Sequence, residues 1–384
     1  MAERPDQSGP VAVYGATGYT GRLVAAELDR RGAECVLAGR SAEKLNALAS
    51  DLGGDARTAA VSLDDPSGLR ELLEPCAAVI ACAGPFTVHG EPVVAAAADT
   101  GTHYLDTTGE QGFMRMVFER YGSAASRNGA ILVPAMGFDY VPGDMIAALT
   151  AADMGPLDEL ALAYSVRGFG MSRGTMHSGL LIVGGGAVEY RDGALRPTSG
   201  SIDRGTWEFP PPVGDQRMLR YPGGEQITVP RHVDTRSVST MFSAATVLPS
   251  KRLAPAAPFL MPVIELAMRT PLRRAGDALI ARLPEGPDDE ARRASRFMIS
   301  CEARAGATRR RGTATGVDVY GLTAFAIVHG ALRAAAPGYE ERGALAPSQA
   351  FDPAEFLSTL GEFGGDHEVD PQPEAVGAAR EQRG

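Results

Sequence analysis

The sequence predicts an α/β protein in two parts, an N-terminal doubly wound parallel sheet followed by an α+β domain built on a largely antiparallel sheet. Three observations predict it. Residues 11–21 break from an apolar strand through glycines into a helix, strand and helix patterns alternate up to about residue 145, and past Gly155-Pro156 the pattern changes to a different set of strand-like segments. A length of 384 residues suits two domains better than one.

The first strand, Val11-Ala12-Val13-Tyr14, runs into Gly15-Ala16-Thr17-Gly18-Tyr19-Thr20-Gly21. Gly15 permits a tight turn, Gly18 lets the backbone approach a pyrophosphate, and Gly21 lets the helix from Tyr19 to about Arg31 pack close to the sheet. Such a turn alone also serves as a plain bend. Here a second apolar strand, Glu34 to Ala38, and a helical segment, Ser41 to Leu52, complete a βαβ unit. This is the pattern of a Rossmann domain, whose first helix aims its unpaired N–H groups at phosphates. Further strands are expected near Arg57 to Leu63, Ala77 to Cys82, His103 to Asp106 and Ala130 to Ala135. Helices are expected at Pro66 to Leu73, Gly90 to Thr100 and Gln111 to Asn128. In a sheet of this kind the ligand lies beyond the carboxyl ends of the strands.

The second strand ends in Ala38-Gly39-Arg40-Ser41, and the nearest acid, Glu34, lies at its other end. Arg40 can face a ribose 2′-phosphate and stack on adenine, Ser41 can donate a hydrogen bond, and Lys44 follows one helical turn on. As an ordinary solvated residue Arg40 would carry no such meaning. NADP(H) is the expected cofactor. Its expected contacts are Gly15, Thr17, Gly18, Tyr19, Thr20, Gly21, Arg40, Ser41, Lys44, Asp64, Ala83, Gly84, Pro85 and Phe86.

A helix from Asp144 to about Ala152 leads into the second domain, where Glu159 to Val166, Ser237 to Val247, Arg296 to Arg304 and Gly312 to Val319 are strand-like. The span 190–230 is rich in Gly, Pro, Asp and Arg and resists ordering. Tyr320 to Ala335 is an amphipathic helix that can return to the first domain. The expected division is 1–9 disordered, 10–145 NADP-binding domain, 146–319 substrate domain, 320–364 helical segment on the first domain, and 365–384 disordered acidic tail.

The net charge of −10 argues against an extended nucleic-acid surface and favours a small-molecule or carrier-bound acyl substrate. Cys35, Cys76, Cys82 and Cys301 lack metal-ligand spacing and read as reduced thiols of a cytoplasmic protein; no metal is expected. No signal-type apolar run opens the chain, and no stretch of about 18 apolar residues predicts a spanning helix. Leu253 to Met268 is apolar and leads into Arg269, Arg273, Arg274 and Arg282. Residues 253–282 therefore suit either a peripheral membrane or lipid contact or a pair of partly buried helices. Two of the 37 basic residues are lysines, which leaves little room for a lysine catalyst. Surface helices would support a homodimer without requiring one.

Ionisable and small residues cluster after the later strands. Ala83-Gly84-Pro85-Phe86 can admit a nicotinamide beside an apolar wall, with His89 the nearest titratable group. Asp106, Thr107, Thr108 and Glu110 can bind substrate or relay protons, or else cap the helix that begins near Gln111. Tyr140 can donate a proton to a developing oxyanion with Asp139 orienting it, or else be core packing, with Asp144 as a helix cap. Ser172-Arg173-Gly174-Thr175 looks like a helix start across the cleft. His177 near its first turn is either a proton donor or a packing residue. The expected catalytic residues are Tyr140, Asp139, Asp106 and His177.

Gly15 to Gly21 with Ala38-Gly39-Arg40, then Cys82 to Phe86, His103 to Glu110 and Gly137 to Asp144, resemble the saccharopine dehydrogenase-like oxidoreductases. The resemblance is to the branch containing the trans-acting enoyl reductases of actinobacterial polyketide and lipid biosynthesis. It spans about residues 10 to 365, including Ser172 to Thr175 and the helix from Tyr320. Thr107 stands where the Asp-Leu-Thr-Gly-Glu motif has Leu, and Tyr140 and Gly143 stand where members commonly carry serines. The resemblance implies an NADPH-dependent reductase acting on the C=C of an enoyl thioester. A saccharopine-type imine reductase, with Arg167 and Arg173 holding substrate carboxylates, and a non-catalytic NADPH-binding sensor are the alternatives.

Overall fold

A computed structural model describes residues 9–54, 56–184, 187–199, 201–247 and 280–375. The apolar region 253–268 and the basic residues up to Arg274 lie outside them. Among the described residues no helix is long and apolar enough to cross a membrane.

Strands β1 (Val11–Tyr14), β2 (Cys35–Gly39), β3 (Arg57–Ala60), β4 (Ala78–Ala81), β5 (His103–Asp106) and β6 (Ile131–Val133) form a parallel sheet in the order β3-β2-β1-β4-β5-β6. Buried on both faces, β1, β2, β4 and β6 read as continuous apolar runs rather than alternating ones, while β5 is equally buried with His103 and Asp106 at its ends. The order reverses beside β1, so β1 and β4 open the crevice where a dinucleotide binds. Gly343–Ala344 adds a short parallel strand beyond β6. The helix Val319–Ala334 packs against the helix Tyr19–Arg30 and against β4 and β5. There the Arg31 guanidinium lies 4.5 Å above the Phe325 ring. The expected helix Gln111 to Asn128 is interrupted by a π-turn at Val117–Tyr121.

The second sheet centres on β7 (Glu159–Arg167), paired antiparallel with β13 (Arg296–Ala305) and parallel with β12 (Val238–Ser243). Strand β14 (Thr308–Val317) pairs with β13 in a ten-residue register from Arg296–Val317 to Ala305–Thr308. All the remaining pairings in this sheet are antiparallel. The 190–230 span resolves into two hairpins, β8 (Val188–Arg191) with β9 (Ala194–Pro197) and β10 (Asp203–Phe209) with β11 (Gly214–Arg220). Asp192 and Gly193, both at positive φ, make the two-residue turn between β8 and β9. The expected strand to Val247 instead ends at Ser243 and turns helical.

The tail differs from expectation. Asp366–Val369 and Glu374–Ala375 pair antiparallel with β14 and cover its otherwise open edge. Their short polar stretches carry no alternation that would mark a strand in the sequence.

Candidate functional site

The glycine turn has the geometry its sequence requires. Gly15 sits at φ 84° with Ala83 N 2.9 Å from where a Cβ would stand, and a Cβ on Gly21 would lie 2.8 Å from Ala16 Cα. Either substitution would force β1, β4 and the helix apart. Gly18 is exposed, with its backbone open to a ligand, and a Cβ there would stand a tight 3.3 Å from Gly15 O. The helix it starts has no side-chain cap and no acid in its first turn. Its N–H groups are thus left for an anion, as a pyrophosphate site requires. Arg40 is exposed just past β2, and Ser41 caps the helix Ala42–Asp51 by accepting from Lys44 N at 3.4 Å. Arg40 and Asp64 are both electrostatic neighbours of the Tyr14 hydroxyl, which donates to Val61 O at 3.0 Å. These residues fit an NADP adenosine end.

Beyond β4, Ala83, Gly84 and Pro85 are accessible and Phe86 is buried against Phe113, ring centroids 5.5 Å apart. The buried Glu110 carboxylate accepts from Phe86 N and Thr87 N, each at 2.8 Å, and from the Thr87 hydroxyl. Glu110 therefore caps the turn Phe86–His89 rather than the helix beginning at Gln111. Ser178 of the second domain donates to the same carboxylate at 2.8 Å. His89, at the end of the turn, is half-buried.

Asp106 is fully buried, and its Oδ1 accepts from Thr108 N at 2.8 Å and Ala135 N at 3.0 Å, tying β5 to the end of β6. Burial pushes its carboxyl up to about 7, against the pull of those two N–H groups. Tyr140 is also fully buried, its ring against Met114, Ala135 and Ile227. The Tyr140 hydroxyl donates to Gly109 O at 3.2 Å and lies 3.1 Å from the Tyr221 hydroxyl. The expected pairing of Tyr140 with Asp139 or Asp106 is not formed, because the Tyr140 ring points to Gly109 and Asp106 is held by backbone donors. Asp139, by contrast, is only partly covered, and its carboxyl makes no hydrogen bond or ion pair with a described residue. Burial raises it to about 6, and Tyr221, Tyr164 and Tyr320 feel its charge.

The opposite wall comes from the helix Arg173–Gly184, which begins at an N-cap Ser172 accepting from Thr175 N at 3.2 Å. Tyr320 ties this start to the first domain. Its hydroxyl accepts from Ser172 N at 2.7 Å and lies 3.0 Å from the Thr175 hydroxyl, while its ring meets Tyr19 edge-on at 5.1 Å. Tyr19 in turn donates to Pro287 O at 2.8 Å, and Arg22 pairs with Glu285, so the second domain clasps the glycine turn. His177 is half-buried on this helix. Arg173 donates to Leu283 O, and Arg167 donates to Pro212 O at 3.4 Å.

Several buried polar groups here carry no sequence signal. Tyr164 donates to Glu225, whose Oε2 has no hydrogen-bond partner, and burial lifts this carboxyl to about 8. Gly143 makes room for the pair, since a Cβ there would collide with both. Asp144 is no helix cap; it lies 3.0 Å from His232 Nε2 and accepts from Ser348 N at 2.9 Å. Its pKa is lowered: burial, the largest influence, pushes it up but is outweighed by the His232 charge and hydrogen bonds. All four cysteines are free thiols, and burial pushes Cys82 and Cys301 up to about 12. Among the described residues no cluster of metal-ligating side chains exists.

The fold and this rim define a dinucleotide-binding domain joined to a second domain that closes over it. Residues 11–133 match the family model of the saccharopine dehydrogenase NADP binding domain, a match that supports NADP(H) as the cofactor of the first domain. A provisionally named trans-acting enoyl reductase of Mycobacterium tuberculosis is 41% identical over 140 residues, covering 35% of this chain and 33% of the relative. A trans-acting enoyl reductase of Mycobacterium bovis is 39% identical over the same length, with 35% and 34% covered. The matched segment thus spans about a third of these curated relatives. Saccharopine dehydrogenase (L-Glu forming) from Saccharomyces cerevisiae, in its apo form, shares the fold across 94% of this chain and 100% of its own. The TM-score is 0.61 at 14% identity.

Proposed function

We propose that the chain is an NADPH-dependent reductase that saturates the C=C of an enoyl thioester, carried on a synthase or on coenzyme A. The carrying observation is that one rim holds both an uncapped helix start suited to a pyrophosphate and a carboxyl, Asp139, left without a protein partner. The names of the mycobacterial relatives support the substrate class.

Bound NADPH supplies the hydride that reaches the β-carbon. Asp139, half-protonated near pH 6, holds the proton that the α-carbon takes up. Tyr140 acts as a positioning residue, holding the Gly109 carbonyl and the Tyr221 hydroxyl, which feels the Asp139 charge. Phe86, Tyr19 and Tyr320 exclude water. Imine reduction of a polycarboxylate is the second reading: Arg167 and Arg173, the arginines expected to hold carboxylates, each spend one N–H on a carbonyl, of Pro212 and Leu283, and keep the others.

The test is NADPH oxidation against parallel panels of enoyl thioesters and imine-forming amino acid and keto acid pairs. Turnover confined to the enoyl panel supports the reading. Turnover of the imine panel alone replaces it with the saccharopine-type reaction, and tight NADPH binding without turnover of either favours a cofactor-binding protein.

A further inference from the structure

We infer that the protein has a second ligand site, for a small organic anion with an apolar body, at the seam between the π-turn Val117–Tyr121 and the segment 225–231. A pocket of about 210 Å³ opens there, remote in sequence from the glycine turn. A cavity of about 150 Å³ takes a benzene ring, so this one has room for a ring with its charged head group at the open mouth. Its apolar lining includes Phe118, Tyr190, Leu195 and Ile227, and Arg115 and Arg231 are its cations, with Glu119 in the same lining leaving one net positive charge.

The two guanidinium groups are incompletely satisfied. The Arg231 guanidinium lies 3.6 Å above the Phe118 ring and makes no hydrogen bond or ion pair with a described residue, although the Arg231 carbonyl accepts from Gln349. Partial burial lowers its pKa, an indication that its charge sits in a poorly hydrated place; Glu119 opposes that shift. Arg115 spends one terminal nitrogen on Glu119 at 3.2 Å, yet its Nε is buried without a hydrogen-bond partner. An incoming carboxylate or phosphate monoester accepts from both arginines, and its apolar body covers Ile227 and Leu195. A stacked, pre-oriented guanidinium loses little freedom on binding, so a small anion can be held at modest cost. Among the described residues Leu195 is one of the few large apolar side chains left exposed, at 38%, and such a ligand would shield it.

The pocket shares a wall with the candidate active site. Ile227 and Phe118 pack in the same apolar cluster as Tyr140, and segment 225–231 begins with Glu225. Occupancy there is distinct from substrate binding, and the inference stands whether or not the enoyl assignment does.

The probes are benzoate and phenyl phosphate, with neutral benzamide as control, titrated calorimetrically into the full chain saturated with NADPH. Saturable one-site binding of either anion, absent for benzamide, is expected, and whichever anion binds more tightly identifies the head group. Arg231→Met and Arg115→Gln should each weaken it about tenfold or more while NADPH still binds. Leu195→Glu, a change at an exposed rim, should abolish it by placing a carboxylate in the pocket, and it serves if an arginine variant fails to fold. Unsaturable binding, equal binding of benzamide, or anion binding unchanged in Leu195→Glu would overturn the inference.

Discussion

Replacing Glu225 with glutamine probes a costly electrostatic feature of the core. The carboxyl is fully buried, receives the Tyr164 hydroxyl, and is raised from 4.5 to about 8, with desolvation the main cause. A folded-state pKa above the unfolded one means that the native protein binds the proton more tightly. Stability from this group is therefore fully present below about pH 4.5 and is lost progressively as pH rises through about 8. At about 1.4 kcal/mol per unit, the loss is on the order of 3 to 5 kcal/mol. In Glu225→Gln the Tyr164 bond survives and nothing ionises. Near pH 5 both proteins present a donor where Oε2 lacks a partner, so they should agree within about 1 kcal/mol. Asp106 and Asp139, also raised, contribute equally to both proteins and cancel in the difference. Urea unfolding from pH 5 to 9 should thus give curves that coincide in acid and diverge in base, the variant being the more stable by a few kcal/mol at pH 9. Parallel curves, or a variant less stable at pH 9, would refute the reasoning.

Other perturbations address separate parts of the structure. Arg40→Ala should cost NADPH about 10- to 100-fold in affinity, the loss of one charge-assisted contact, and leave NADH binding nearly unchanged in fluorescence titrations. Glu110→Gln would set an amide nitrogen against the N–H groups of Phe86 or Thr87 and should destabilise the protein by about 2 kcal/mol in denaturant unfolding. If Asp139 donates its proton, kcat/KM should fall above about pH 6, and Asp139→Asn should lower it at least about 100-fold and flatten that limb of the profile.

The first domain was legible because each apolar run is a strand buried on both faces and each glycine answers a specific close approach, as at Gly15 and Gly21. The 190–230 span was not, although Asp192-Gly193 is a recognised hairpin turn; the polar, proline-rich residues around it hid the alternation. At the site, Asp139 was marked by its place after β6. Tyr221 and His232 were not, since their roles arise only against Tyr140 and Asp144 of the first domain, and Glu225 was not, since its partner Tyr164 lies far off in the sequence on β7. The expected pairing of Tyr140 with Asp139 is absent on a related ground. Position after a strand brings a residue to the rim, but ring packing against Met114 and Ile227 decides which way its hydroxyl points.

The most direct measurement is single-turnover reduction of an enoyl thioester with NADPH deuterated at C4 of the nicotinamide, the product analysed by mass spectrometry and NMR. Enoyl reduction places the deuterium on the β-carbon and a solvent proton on the α-carbon. Product lacking deuterium at the β-carbon, or deuterium recovered only in an amine formed from the imine panel, would contradict it.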